Sequence, residues 1–461
     1  MKTILKKKGY YIKKKSIEKN IIDKITRELI VDGASFYEKK LNINKKFSVY
    51  SENNKYFIIP KYYGLKIFGK PTKNKEKKGS NIDIKFKGNI RKNQKPIVDI
   101  TIDHLDKKDG GVLCLGCGFG KTVIALYIAT VLKLKTLVIV HKTFLLNQWI
   151  ERIKQFTNAS IGIIQQKNVD TDKDIVIGML QSISKDKYDS SIFKQFGLVI
   201  FDEAHHAPSQ YFSKALPIIS CKKTLALTAT PKRADRLEKV LFWYFGDIIY
   251  KSEKKKNTKV NVKMINYDLN NKNFKEYRLT TTGEINRSKT ITKITEIKER
   301  NNFILSTILK INKDVNKKIL ILSDRINHLE TIGNMLDEYN IDYGYYIGKM
   351  KQEKLDESAR KKVILASYSM ASEALDIPTL NTLLMITPRS SVEQSIGRIL
   401  RKNNYVIEPL IIDIVDCLKS FKRQSLIRKR LYRKMKFNIE EINYLDNKVI
   451  IKKEIVPEFI D

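Results

Sequence analysis

Two series of short apolar runs constrain the fold of this chain more than any other feature. GVLCL, TLVIV, DIVIG, LVIFD and TLALT fall between about residues 95 and 250. KILILS, DYGYYIG, KVILAS, TLLMIT and EPLIIDIVD follow from about residue 296. Each run is β-branched or Leu-rich, nearly continuous, and followed by polar or helical sequence. Strands of that kind, alternating with helices, belong to parallel sheets covered on both faces. A length of 461 residues suits two or three domains. The expected architecture is therefore α/β, with two tandem domains over 86–250 and 296–420. A polar, Lys/Asn/Thr-rich connector is expected over 251–295, in which KVNVKMINYDL alternates like one half-buried strand.

Residues 1–85 form a basic, Tyr-rich leader, read as a small α+β accessory domain. Its stretch SIEKNIIDKITREL places Ile17, Ile21, Ile22, Ile25 and Leu29 on one helical face. Residues 421–461 are read as a basic extension. Within KSFKRQSLIRKRLYRKMK, the spacing of Phe421, Leu426, Leu431 and Tyr432 predicts a helix docked on the second domain with a basic outer face. Contact with nucleic acid, a localisation signal and a solvated face are all compatible with it.

Composition narrows the class. Hydrophobic residues make up 42% of the chain, enough for packed cores. No apolar run approaches the roughly 20 residues that span a bilayer, and the basic N-terminus has no apolar segment of signal-peptide length. An intracellular protein without membrane contact is expected. The formal charge of +38 favours polyanions, although a solvated lysine surface accounts for the same total. Four cysteines form no disulfide framework. Cys114 and Cys117 make a CxxC without a second pair at zinc spacing, so they are read as packing residues.

GVLCLGCGFGKTVIALYIATVL reads as strand, glycine-rich turn, then helix. Gly116, Gly118 and Gly120 let successive backbone N–H groups turn toward phosphate oxygens. Lys121 would reach the β and γ phosphates of ATP, the Thr122 hydroxyl would bind Mg²⁺, and the helix adds its positive N-terminus. Leu115 stands where a strict P-loop has its first glycine. LVIFDEAHH is an apolar strand ending in two carboxylates, at the sheet edge where ligands bind. Asp202 would hold Mg²⁺, and Glu203 would orient and deprotonate the attacking water. KTLALTATPKR supplies Thr228 and Thr230, whose small hydroxyls can report the state of the acidic strand.

GCGFGKT, DEAH (Asp202–His205) and TAT resemble motifs I, II and III of superfamily 2 helicases. In that family the histidine, here His205, couples the ATP site to motif III; His206 has no such counterpart and is read as structural. VILASYSMASEALDIP resembles motif V, with Ala374 in place of a glycine. VEQSIGRILR resembles motif VI. A helix carrying Gln394, Arg398 and Arg401 would put both arginines on one face, where they would stabilise charge on the transferred phosphoryl group. Asp376 would contact the ribose or those arginines. VHKTFLLNQWIERI and GMLQS resemble motifs Ia and Ib, which makes His141, Lys142, Thr143, Gln181 and Ser182 candidates for the sugar–phosphate backbone. Trp149 is read as core. FKGNIRKNQ resembles an element in which Gln94 would read adenine.

The resemblance covers about residues 86–420 and implies two RecA-like domains closing on ATP and Mg²⁺ at an inter-domain cleft. In detail it is most similar to the DEAH-type helicases of nucleocytoplasmic large DNA viruses, including the poxvirus transcript-release helicase, and next to XPB-type helicases. It implies a DNA-dependent rather than RNA-dependent ATPase, 3′-to-5′ unwinding and a part in viral transcription. Viral RNA polymerase or transcription factors would be partners, a monomer would suffice, and the host cytoplasm (the virus factory) or the virion would be the location. Two alternatives remain open: a nucleic-acid-binding transcription factor whose ATPase remodels complexes without strand separation, and a nucleic-acid sensor.

Overall fold

The structure is a computed structural model that describes all residues except 35–44, 117, 186, 232, 234, 253–258, 349, 374, 376, 401–406, 447 and 456–461. Cys117, Ala374, Asp376 and Arg401 therefore lie outside the described residues. The chain forms two compact units, Met1–Glu253 and Lys254–Asp461. Among the described residues no helix is long and apolar enough to cross a membrane.

The first unit is built on an eight-stranded sheet. Its inner order runs Ile175–Met179, Thr136–Val140, Leu198–Phe201, Lys223–Thr228, Gly110–Cys114, all parallel. Every residue of Gly110–Cys114, Thr136–Val140, Ile175–Met179 and Leu198–Phe201 is buried, as the unbroken apolar runs require. Lys223–Thr228 lies between the glycine-loop strand and the acidic strand, with Thr228 opposite Cys114. The order thus puts the Thr228 hydroxyl between the two halves of the nucleotide motif. Strand Ile161–Gln165 and its hairpin partner Asn168–Val169, which forms the sheet edge, were not apparent from the sequence.

The leader forms a five-stranded sheet of its own but belongs to the first unit. Tyr63 meets Trp243 edge-on at 5.3 Å, and the Tyr244 hydroxyl donates to the Val49 carbonyl. Lys61, buried, pairs with Glu76 at 2.9 Å and donates to the Lys222 carbonyl. Its aromatic residues thus cover an apolar face of the eight-stranded sheet, and one core runs through both parts. Of the expected helical stripe in Lys19–Leu29, Ile25 and Leu29 are buried while Ile21 is exposed.

In the second unit the strands expected from the sequence lie in the order Tyr343–Tyr346, Val363–Ser367, Ile319–Ser323, Thr382–Met385, Leu410–Asp416. The parallel sheet then continues into Asn261–Asp268 and Asn438–Leu445, and closes with antiparallel Lys448–Ile455. Residues expected as connector and as extension therefore carry strands of this sheet. Val262, Met264, Ile265 and Tyr267 are buried in Asn261–Asp268, which is interior to the sheet, while Asn261, Lys263 and Asn266 are half-buried, as the alternating pattern predicts. The basic helix Lys419–Lys434 packs as expected through Phe421 and Tyr432, but Leu426 is 53% exposed and Arg428 is turned inward. Arg428 pairs with Asp413 at 2.7 Å, and Tyr432 donates to the same carboxylate. Burying that guanidinium where a leucine was expected is tolerable because its charge and donors are matched.

Candidate active site

Strand Gly110–Cys114 leads into the glycine turn, where the Leu115 N–H donates to the Thr228 carbonyl and the Gly116 N–H to the Ser252 hydroxyl. Gly118 and Gly120 take φ of 82° and 76°, the left-handed region that side chains disfavour. A Cβ on Gly120 would also come within 2.5 Å of the Gln94 amide nitrogen. Gln94 is buried; its amide donates to the Phe119 carbonyl at 2.8 Å and accepts from the Arg91 N–H. It is a brace under the loop, a placement that the sequence motif alone did not convey. Helix Lys121–Leu132 starts without a side-chain cap, so its first N–H groups are not consumed by a neighbouring hydroxyl or carboxylate. Thr122 occupies its first turn.

The acidic strand delivers both carboxylates to this loop. Lys121 Nζ lies 3.7 Å from Glu203 Oε1 and 3.4 Å from the Leu115 carbonyl. Glu203 has φ of 45°, a strained value for a glutamate that turns the chain sharply as it leaves the sheet. Asp202 is buried, and its two oxygens accept from the Glu203 N–H at 2.9 Å and the Trp149 indole N–H at 2.8 Å. Burial first, and the neighbouring Glu203 charge second, push the Asp202 carboxyl above its ordinary range, against the opposing pull of Trp149 and Lys121. Trp149 is core, as read from the sequence, but it also holds a catalytic-strand carboxylate. The signal was available: a buried indole N–H needs an acceptor.

Magnesium takes one or two carboxylates together with phosphate oxygens and water. The Thr122 hydroxyl and Asp202 are oxygen donors of that kind, and crowded negative charge at Asp202 and Glu203 is what a cation relieves. The residues present fit the ion. By contrast, burial raises the Cys114 thiol to about 11, which suits a packing role. Among the described residues no three His, Cys, Asp or Glu side chains converge as a ligand cage.

His205 stands next to Glu203 and Thr228. Its Nδ1 lies 3.3 Å from Glu203 Oε2 and 3.2 Å from Thr228 Oγ1, and Thr228 in turn donates to the Thr230 carbonyl. Arg233, paired with Asp235, donates to the His205 carbonyl. The His206 ring packs on both His205 and His141, with centroids at 4.2 and 4.0 Å.

The candidate nucleic-acid residues gather at the ends of two neighbouring strands, since Val140 pairs with Met179. Gln181 donates through its amide to the His141 carbonyl, and Ser182 accepts from the Gln166 N–H. Lys142 and Thr143 open helix Thr143–Phe156, Thr143 exposed and Lys142 half-buried. His141 itself is buried. In the second unit, helix Glu393–Ile399 carries half-buried Gln394 and buried Arg398, whose guanidinium donates to the Leu375 carbonyl at 3.0 Å.

Family comparison matches residues 87–233 to the type III restriction enzyme res subunit and residues 299–403 to the helicase conserved C-terminal domain. The chain is 41% identical to a protein of Acanthamoeba polyphaga mimivirus named as an ATP-dependent RNA helicase, over 96% of this chain and 87% of the relative. It is 26% identical to the DNA 3′-5′ translocase XPB2 of Sulfurisphaera tokodaii, over 67% and 78% of the two chains. It is 25% identical to transcript termination protein A18 of Yaba-like disease virus, over 71% and 74%.

Proposed function

The chain belongs to the superfamily 2 helicases, nucleic-acid-dependent ATPases built on two RecA-like domains, and from that premise we propose that it is a DEAH-type motor that hydrolyses ATP to move on or unwind DNA during transcript release. One observation carries the chemical part of this reading. Lys121, at the mouth of the glycine turn, lies 3.7 Å from Glu203, and Asp202 is held beside it.

In this reading Thr122 and Asp202 would hold Mg²⁺, whose contribution there would be to neutralise phosphate charge. Backbone N–H groups at Gly118 and Gly120 seat the phosphates, joined by that of Gly116 when it leaves the Ser252 hydroxyl, and Lys121 balances the γ phosphate. Glu203 aligns the attacking water and takes its proton. Gln394, Arg398 and Arg401 are assigned by the family resemblance to the transferring phosphoryl group, whose charge the arginines would stabilise. Gln94 braces the loop and reads adenine, and Asp376 reads the ribose. His205, with Thr228 and Thr230, couples the ATP site to nucleic acid held at His141, Lys142, Thr143, Gln181 and Ser182. Transcript release is supported by the likeness to a poxviral transcript termination protein, and DNA by the likeness to a DNA translocase. Viral polymerase or transcription factors would be partners in that setting.

Steady-state ATP turnover with single-stranded DNA, duplex DNA and RNA, alongside unwinding of tailed duplexes, tests the proposal. DNA should raise turnover, and the tailed duplex should be opened. Stimulation by RNA alone overturns the DNA assignment; DNA-stimulated turnover without unwinding favours a translocase that strips complexes.

A further inference from the structure

The chain has five histidines, and three of them meet in one stack in the first unit. His141 directly follows the strand Thr136–Val140 and leads into Lys142 and Thr143. His206 lies on the turn directly after Glu203. Its ring is flanked by the His141 ring at 4.0 Å and 36°, and by the His205 ring at 4.2 Å and 39°. His205 completes the line, with one ring nitrogen 3.3 Å from Glu203 Oε2 and 3.2 Å from Thr228 Oγ1.

We propose that His206 is a positioning residue that carries nucleic-acid contact at residues 141–143 to Glu203, through the rings of His141 and His205. The inference rests on the reading of those segments as strand contact and water activation. His141 is buried, so a shift of the 141–143 backbone on binding a sugar–phosphate strand moves a ring that has no solvent to move into. Through direct ring contact that shift reaches His206 and then His205. His205 Nδ1 is within reach of both a carboxylate and a hydroxyl, and a single N–H there donates to one of them at a time. Donation to Glu203 occupies the oxygen that must accept the proton of water; donation to Thr228 releases it. The pair of partners is a two-state element, the kind of device through which distant contacts bias a reaction.

The test compares His206→Ala, which removes the middle ring, with His206→Phe, which keeps it. Turnover is measured without and with a saturating amount of whichever strand most stimulates the wild-type protein. Strand affinity is followed by fluorescence anisotropy, and thermal unfolding is recorded in parallel. The expected result is a fall of about tenfold in the ratio of stimulated to unstimulated turnover for the alanine variant. Strand affinity should be retained, Tm should stay within about 2 °C, and the phenylalanine variant should recover most of the ratio. A wild-type ratio in His206→Ala overturns the relay, as does a phenylalanine variant no better than alanine. Parallel loss of both turnovers with a lowered Tm marks a structural role and also overturns it. A wild-type protein stimulated by no strand overturns the functional reading itself, a different outcome from any of these.

Discussion

At the strand ends of the first unit, Asp202 and Glu203 are consecutive carboxylates facing one lysine at 3.7 Å, and burial raises the Asp202 carboxyl. In the core of the second unit, Arg300 and Asp416 form a two-pronged pair at 2.6 and 3.0 Å, with neither side chain exposed. Arg428 and Asp413 form another at 2.7 and 2.8 Å. The first arrangement leaves negative charge in excess and distances long, as suits groups that must engage phosphate, metal and water. The second meets each carboxylate with two short guanidinium contacts, as suits groups that hold helices against a sheet, while Arg300 Nη1 is buried with no hydrogen-bond partner among the described residues. Burial alone does not separate function from structure; the balance of charge and the length of the ion-pair contact do.

Exchanging one residue on each side should break the comparison in opposite ways. Glu203→Gln removes the proposed proton acceptor and should lower nucleic-acid-stimulated turnover by about 10³-fold or more, with Tm unchanged or raised. Substantial residual turnover would remove Glu203 from its role. Arg300→Met keeps the volume but strands a buried carboxylate at Asp416. Its expected cost is about 3–5 kcal/mol in chemical denaturation of the second unit. A loss below about 1 kcal/mol would mean that the pair is not the closed device its distances describe.

These contrasts mark what was legible beforehand. The strands were readable because a parallel sheet writes its burial into consecutive residues, and Lys121, Asp202 and Glu203 because their spacing to those strands is local. Asn261–Asp268 was visible as a strand, but its neighbours Leu410–Asp416 and Asn438–Leu445 are far away in sequence. Arg300 and Arg428 gave no sign of burial, because an inward arginine looks like any other in a chain with 88 basic residues. The histidine stack depends on two strand ends meeting across more than sixty residues, which no local pattern encodes.

Acid should sharpen the comparison from the side of the second unit. His328 is buried between the Asn301 side-chain amide oxygen and the Ser323 hydroxyl, at 3.0 and 3.2 Å. Burial, assisted by the Arg300 charge, holds it well below its ordinary value of 6.5. A folded value depressed in this way means that the unfolded chain takes up the proton first. The stability is intact above pH 6.5 and is lost as pH falls below it, at about 1.4 kcal/mol per pH unit. Urea midpoints between pH 7.5 and 5 should therefore fall, and His328→Asn should flatten that slope. An unchanged slope would place the acid sensitivity elsewhere.

The smallest expected effect lies on the first side, at Trp149. Its indole N–H is the one side-chain donor to Asp202 among the described residues, and the ring itself is fully packed in the core. Trp149→Phe keeps most of the apolar contact and deletes the donor, so it separates packing from orientation. A lost hydrogen bond to a charged group amounts to about 1.5–3 kcal/mol, part of which relaxation recovers. A carboxylate no longer pinned by Trp149 must be ordered by the ion instead. The Mg²⁺ concentration giving half-maximal turnover should rise about tenfold. The same shift should appear in Mg²⁺-dependent binding of a fluorescent ADP, a readout independent of hydrolysis. If the Mg²⁺ requirement stays fixed while Tm falls, Trp149 belongs with the closed pairs of the second unit, as structure alone.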